Sequence, residues 1–115
     1  MTTEELFEQG GNLLADGKVD EAVQAFKQAI TLDASYGDAY HGLAMCYAEK
    51  EDFDNAIETV KQLVAIHPDD VLAHTSLSMF YQKKGMIPEA EKEGAAAKIL
   101  TWKEQLQDEA KEKKE

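Results

Sequence analysis

The stretch GDAYHGLAMCYAEKEDFDNAIETVKQLVAIHPDD, residues 37–70, decides the fold of this chain. Its first half carries apolar residues at steps of 3, 1 and 3, namely Tyr40, Leu43, Ala44 and Tyr47. Its second half carries a further apolar set at the same period, namely Phe53, Ala56, Ile57, Val60, Leu63 and Val64. Steps of three and four residues place side chains on one face of an α-helix. Because the polar run 50–52 separates the two sets, the stretch predicts two amphipathic helices joined by a short turn.

The same arrangement returns before and after this stretch, at a step of 34 residues. Its clearest column is a small residue, found as Ala22, Ala56 and Ala90. A large side chain there would push two crossing helices apart, so we expect these alanines to be buried between helices. Four more columns agree in size or polarity: Val19, Phe53 and Ile87; Leu32, Ile66 and Leu100; Leu13, Tyr47 and Tyr81; Gly10, Ala44 and Ser78.

The period divides the chain into three repeats, which we assign to residues 3–36, 37–70 and 71–104. A C-terminal helical extension follows to residue 115, and we predict that residues 1–115 form a single domain.

Short turns separate the two helices of each repeat. We expect the turns of repeats 1 and 3 at Asp16-Gly17 and Lys84-Gly85. Asp20 and Asp54 are expected to cap the helices that follow the first two turns, because aspartate accepts hydrogen bonds from free N–H groups at a helix start. Pro88 is expected in the first turn of the last helix, where its missing N–H costs nothing.

These residues resemble the tetratricopeptide repeat family, whose pattern is a helix–turn–helix unit of the same length. The matching residues are Leu6, Gly10, Leu13, Ala22, Phe26 and Ala29 in repeat 1; Tyr40, Leu43, Ala44, Tyr47, Ala56 and Pro68 in repeat 2; and Leu77, Ser78, Tyr81, Ala90 and Ala97 in repeat 3. Repeat 1 has Ala34 in place of the final proline. Repeat 3 has Gly94 in place of a large apolar residue and Trp102 in place of proline. The resemblance implies an all-α, right-handed superhelical solenoid of three helix–turn–helix repeats with a long C-terminal helix.

The C-terminal helix is expected to run without a break from Glu89 to about Lys113, because this segment is rich in strong helix formers. Ile99, Trp102 and Leu106 recur along it at steps of 3 and 4 and form an apolar stripe. Two interpretations of this stripe stay open. It folds onto repeat 3 and caps the solenoid, or it pairs with another chain, for which tryptophan is a favoured anchor.

The resemblance also implies a concave groove lined by the first helix of each repeat. The groove residues that it gives for this chain are Phe7, Gly11, Leu14, His41, Met45, Thr75, Met79 and Gln82. An acidic rim is expected at Asp38, Glu49, Asp69 and Asp70. Flexible methionine side chains suit the recognition of an apolar helix or peptide, and the acidic rim favours a basic or neutral ligand. The alternative for Met45 and Met79 is ordinary packing within a small solenoid.

One subgroup of the family holds the terminal carboxylate of acidic chaperone tails with lysine, asparagine and arginine side chains. The matching positions here are Phe7, Gly11, Gly42, Leu72 and Ser76. None of these residues is cationic, and an acidic tail would meet charge repulsion. We therefore do not expect this chain to be a binder of chaperone tails.

Composition excludes several other partners. Acidic residues outnumber basic ones 23 to 12, the formal net charge is -11, and every basic residue is lysine. Binding to nucleic acid or to an anionic membrane needs a positive field, so neither is expected as a partner. No apolar run approaches the roughly 18 residues of a membrane span, and residues 1–9 do not resemble a signal peptide. A cytoplasmic location is the default expectation.

The chain offers little catalytic chemistry. His41, His67 and His74 give no pair of metal ligands on one helical face, and Cys46 is best explained as a small buried apolar residue. We expect no metal, no cofactor and no enzymatic activity. The predicted function is a non-enzymatic protein-interaction module, a scaffold or adaptor. The alternative is a structural protein that forms homo-oligomers through repeat stacking or the C-terminal stripe.

Overall fold

In the computed structural model, which describes residues 1–113, the chain forms six α-helices and no strand within that range. The helices are α1 (Thr3–Ala15), α2 (Val19–Leu32), α3 (Gly37–Glu49), α4 (Phe53–Ile66), α5 (Val71–Lys83) and α6 (Ile87–Lys113). Each repeat assigned from the sequence contains two successive helices, and α6 runs on beyond the third repeat. The pairing of amphipathic helices predicted from the 34-residue period is confirmed.

The turn inside each repeat has the same hydrogen-bonded geometry. Its central residue lies in the left-handed region, with φ of 79° at Gly17, 58° at Glu51 and 74° at Gly85. The next residue returns its N–H to the preceding helix, in the bonds Lys18 N to Leu13 O (2.9 Å), Asp52 N to Tyr47 O (2.8 Å) and Met86 N to Tyr81 O (2.9 Å). These bonds satisfy carbonyl groups that the helix end leaves free.

This turn geometry corrects both predicted helix caps. Because the left-handed residue ends the turn early, α2 is capped by Lys18, which makes no side-chain cap bond, and Asp20 lies inside the first turn. The cap of α4 is Asp52, whose Oδ1 accepts from Asn55 N at 3.3 Å, and Asp54 lies inside the helix. Asp20 instead accepts a hydrogen bond from Lys50 Nζ at 2.6 Å.

The last helix is long and continuous, as predicted. It spans 27 residues with Pro88 at its second position. At the 1.5 Å rise of an α-helix this corresponds to about 40 Å. The final part of the predicted extension, residues 114–115, lies outside the described residues.

The chain divides into two compact units, Met1–Pro68 and the part that begins at Asp69. The first unit contains the helices of repeats 1 and 2, and the second contains α5 and α6. The single domain expected from the sequence stays a prediction.

The core of the first unit is built around Phe26, which is 1% exposed. Its ring packs in one apolar cluster that also contains Ala22, Val23, Leu43 and Cys46. Ala22 and Ala56 are fully buried, as their column predicted. Small residues therefore allow the helices to approach, and one large ring fills the space that they leave.

In the second unit α5 packs against α6. Ala90 and Leu77 are almost completely buried, and the hydroxyl of Ser78 donates a hydrogen bond to the carbonyl oxygen of Ala90 at 2.8 Å. His74 Nδ1 lies 2.7 Å from Glu93 Oε2, so a polar contact also joins the two helices. Within the described residues, no helix has both the length and the apolar character needed to cross a membrane.

Candidate protein-interaction site

A groove of about 540 Å³ lies between α5 and α6 in the second unit. Both walls are helical, so the side chains that line it recur at steps of three and four. The lining residues are Val71, Thr75, Ser78, Met79 and Gln82 from α5, and Gly94, Ala97, Lys98, Thr101, Trp102 and Gln105 from α6. Lys98 is the one charged residue of this lining.

The groove is open because Gly94 has no side chain. The 34-residue period places Gly94 in the column of Phe26 and Val60, both of which are buried. A Cβ atom built on Gly94 would lie 3.3 Å from Ser78 Oγ, so the backbone of α6 approaches α5 closely at this point. The close neighbour is the Ser78 side chain, and no other atom of α5 lies within 4 Å of that Cβ position, so the space beyond the hydroxyl stays open to the groove.

The apolar side chains of the groove are exposed to solvent. Met79 is 45% exposed and Trp102 is 61% exposed. Thr75 and Gln82 are exposed as well, and the Thr75 hydroxyl donates to Val71 O at 3.1 Å within its own helix. The structure therefore brings three predicted groove residues, Thr75, Met79 and Gln82, together with one residue of the predicted C-terminal stripe, Trp102.

The other two residues of the C-terminal stripe do not line the groove. Ile99 is 50% exposed and Leu106 is 46% exposed, both on α6. Together with Trp102 they leave three large apolar side chains on one helix in contact with solvent. Single exposed apolar residues are common, but a cluster of them indicates an interaction surface.

The predicted groove residues of the first unit divide into two groups. Phe7 and Leu14 are half-buried against the core, and the Phe7 ring lies 5.9 Å from that of Phe26 and 5.8 Å from that of Tyr36. His41 is half-buried, and Met45 is 54% exposed on α3. Met45 is thus the predicted residue of this unit with the most side-chain area available to a ligand.

The four predicted rim residues lie at or near helix ends. Asp38 is in the first turn of α3, Glu49 is its last residue, and both are exposed. Asp69 is exposed in the loop before α5. Asp70 has a structural contact, because its Oδ1 accepts a hydrogen bond from Ala73 N at 3.1 Å as the N-cap of α5.

The remaining reactive side chains, His67 and Cys46, lie in local structural positions. His67 Nε2 lies 2.7 Å from Ser35 O. Cys46 is fully buried, and burial raises the pKa of its thiol to about 11. A thiol with so high a pKa is a poor nucleophile at neutral pH. Within residues 1–113, no group of three or more histidine, cysteine or acidic residues is arranged to hold a metal ion.

Sequence reasoning missed the α6 wall of the groove. Gly94, Lys98 and Gln105 all line it, yet the family pattern directs attention to the first helix of each repeat. The departure at Gly94 was visible in the sequence, since a large apolar residue is expected in its column. It could have indicated a groove, because a glycine in a column of buried core side chains leaves space between the two helices.

Comparison with known proteins supports the repeat assignment. A family model described as "Tetratricopeptide repeat" matches residues 13–79. The curated Peroxisomal targeting signal receptor of Yarrowia lipolytica is 31% identical over 81 residues, which are 70% of this chain and 12% of that protein. This chain therefore spans only a small part of that receptor's length.

Solved structures agree with the fold. MamA is 28% identical with a TM-score of 0.86, and the match covers 90% of this chain and 60% of MamA. The second TPR of Spaghetti (RPAP3), bound to the HSP90 peptide SRMEEVD, has a TM-score of 0.80 and 16% identity, with 87% of this chain and 93% of that chain covered. The second likeness shows the fold alone. The expected all-α repeat solenoid is confirmed as a fold class.

Proposed function

The chain belongs to the tetratricopeptide repeat family, and we propose that it is a non-enzymatic protein-interaction module, a scaffold or adaptor, that binds its partner in the α5–α6 groove. The family is generally a non-catalytic protein-interaction fold, which supports the coarser role. The observation that supports this site is that Met79 and Trp102 line the same open groove while both side chains remain largely exposed. A partner that covers them would gain roughly 25 cal/mol of binding free energy for each Å² of apolar surface removed from water.

The chemistry of the groove favours a mainly apolar ligand. Its polar atoms are few, and Met79 can adapt its three rotatable bonds to an irregular surface. Within the second unit, Asp69 and Asp70 supply further candidate contacts for a basic or neutral ligand. Met45, Asp38 and Glu49 belong to the first unit and remain a separate candidate surface there. The solved neighbour bound to the peptide SRMEEVD indicates that this fold can hold a peptide. We propose that an acidic peptide of that kind is not the ligand here, because the matching positions lack cationic side chains.

Site-specific cross-linking in the source cell tests this site. Met79 is replaced with the photo-cross-linking residue benzoylphenylalanine, and Lys92, which is exposed on α6 outside the groove, is replaced in a matched control. We expect position 79 to cross-link a distinct protein and position 92 to give none. Cross-links from position 45 in the absence of any from position 79 would move the site to the first unit.

Self-assembly is the second candidate function, and the exposure of Ile99, Trp102 and Leu106 on one helix favours it. A homo-oligomer through this stripe would bury all three side chains against a second copy. The test of self-assembly is the mass in solution, measured at several protein concentrations. It is measured for the whole chain and for the double variant Trp102→Ala, Leu106→Ala. A mass that rises with concentration only in the unsubstituted chain supports assembly, and two monomeric proteins contradict it.

A further inference from the structure

The first unit contains a groove equivalent to the one between α5 and α6, and a helix fills it. α1 and α2 of repeat 1 form its walls, and α3 lies in it. Leu43 and Cys46 of α3 belong to the same buried cluster as Phe26 of α2. A Cβ atom on Gly42 of α3 would collide with the Phe26 ring. The helix therefore fits into the groove by placing a glycine over the Phe26 ring of the wall.

The α5–α6 groove has the complementary arrangement. Two periods separate Phe26 from Gly94 and Gly10 from Ser78. The wall that carries a phenylalanine in repeat 1 thus carries a glycine in repeat 3. A helix lying in this groove in the manner of α3 would meet an empty space over Gly94 instead of a ring. The occupant that fits is a helix with a large apolar side chain where α3 has Gly42.

The described part of α6 does not fill this groove. In repeat 2, α4 ends at Ile66 and is followed by His67 and Pro68. The residues one period later, Thr101 and Trp102, lie inside α6, which continues to Lys113. α6 therefore continues past the position at which α4 ends in repeat 2. Its later residues extend beyond the α5–α6 hairpin.

A second copy of the chain is a poor occupant if it stacks through its first helix. α3 uses Ala39, Leu43 and Cys46, all buried, at positions that correspond to three residues of α1. Those three residues of α1 are Glu5, Gln9 and Asn12, and all are exposed. Placing them in an apolar groove would bury polar groups without partners, which costs free energy for each one. The face of α1 that corresponds to the docking face of α3 is therefore polar, whereas the accessible surface of the α5–α6 groove is mainly apolar.

We infer that the α5–α6 groove receives an amphipathic α-helix of another protein, which places a bulky apolar side chain over Gly94 between Met79 and Trp102. This inference rests on the proposed function and deepens it by naming the kind of ligand. Lys98 is the charged residue of the lining, so an acidic side chain on the same face of the partner helix would find a counter-ion there. Recognition of this kind reads residues at steps of three and four along the partner.

The chain itself supplies a probe, because α3 already fills the equivalent groove. The probe is a fluorescein-labelled peptide of residues 35–52 carrying Gly42→Phe and Cys46→Ala. It is titrated against the full chain, and both its anisotropy and the emission of Trp102, the single tryptophan, are followed. We expect saturable binding with a blue shift of the tryptophan emission. A matched peptide that keeps Gly42 should bind more weakly, by about tenfold, because it leaves the space over Gly94 empty.

Two protein variants test the position of the helix. Gly94→Leu fills the groove and should weaken binding of the probe by at least about tenfold. Ala95→Leu adds the same side chain at the next residue, which is exposed outside the groove lining, and should leave binding unchanged. Circular dichroism and thermal unfolding show whether both variants fold. If Gly94→Leu does not, the surface variant Met79→Lys takes its place. Binding that neither Gly94→Leu nor Met79→Lys weakens would overturn the inference.

The need for a helix is tested on the peptide. Ala44→Pro breaks the helix and leaves the docking residues unchanged, so it should abolish binding. If the proline peptide binds as well as its parent, the groove takes an extended segment, and the inference fails while the proposed function stands. No binding up to about 1 mM, a threshold for weak affinity, also overturns the inference. The cross-linking at position 79 then decides the proposed function separately.

Discussion

The ring of Phe26 lies 2.7 Å from the point that a Cβ atom on Gly10 would occupy. Gly42 lies against the same ring from the neighbouring helix, so Phe26 is held between two glycines and is 1% exposed. Close approach of the backbone, and not a turn, is the reason for glycine at these two helical positions.

Gly10→Ala should therefore destabilise the first unit, whereas Gly11→Ala should not. The added methyl group at Gly10 overpacks the core, which costs about 1–3 kcal/mol. A Cβ atom on Gly11 meets nothing within 4 Å, so alanine there should stabilise the helix by up to about 1 kcal/mol. Urea unfolding followed by circular dichroism measures both. Two variants of equal stability would contradict the packing account.

A double variant provides the control for this contact. Phe26→Leu replaces the ring with a smaller side chain and should itself lower stability. The double variant Gly10→Ala, Phe26→Leu should lose less free energy of unfolding than the two single variants lose together. The reason is that the smaller side chain leaves room for the new methyl group. Additive costs would show that the two residues do not constrain each other.

Cys46 should make stability fall at alkaline pH. Burial of the thiol raises its pKa in the folded state to about 11, whereas in the unfolded chain an ordinary value near 8.5 is expected. Between these values the unfolded chain releases the proton and the folded chain keeps it. The free energy of unfolding therefore decreases as pH rises through this window. Below the window, Cys46 gives the free energy of unfolding no dependence on pH.

The measurement compares urea unfolding of the parent and Cys46→Ala at several pH values from about 8 to about 11. Tyrosine ionisation contributes to both proteins and cancels in the comparison. The alanine variant should show the shallower decrease. Parallel curves would mean that the thiol ionises equally in the folded and unfolded chains.

Asp70 should have separable roles as a helix cap and as a charge. Its Oδ1 accepts a hydrogen bond from Ala73 N at the start of α5. Asp70→Ala removes that bond and should lower the stability of the second unit by about 0.5–2 kcal/mol, whereas Asp70→Asn keeps a cap and should cost little. Thermal unfolding compares the two. If a basic ligand is found, weaker binding by the asparagine variant identifies a contribution of the charge alone.

The repeat fold could be predicted from the sequence because its cause is periodic. Ala22, Ala56 and Ala90 recur where helices cross, and all three are buried. The helix caps could not be placed to the residue. A left-handed residue such as Gly17 or Glu51 ends the turn by a backbone bond, and this moves the helix start away from the nearest aspartate. The side-chain composition of a turn does not reveal that geometry.

The candidate site was only half predictable for a related reason. Thr75, Met79 and Gln82 were found because the family resemblance assigns them to the first helix of a repeat. Their neighbours on α6 line the groove only because Gly94 replaces the larger residue of its column. An open volume depends on the side chain that is missing, and hydrophobic periodicity records only the side chains that are present.

Trp102 should report on whether its surface is covered. It is 61% exposed and is the chain's single tryptophan, so emission of the free protein at low concentration should resemble that of tryptophan in water, and acrylamide should quench it readily. Self-assembly through the stripe would shift the emission to the blue as protein concentration rises, since apolar side chains from a second copy would surround the indole. Leu106→Ala, which leaves the tryptophan in place, should then weaken that shift. A blue-shifted, poorly quenched emission that does not change with concentration would contradict the exposure of Trp102 itself, and with it the accessibility of the groove.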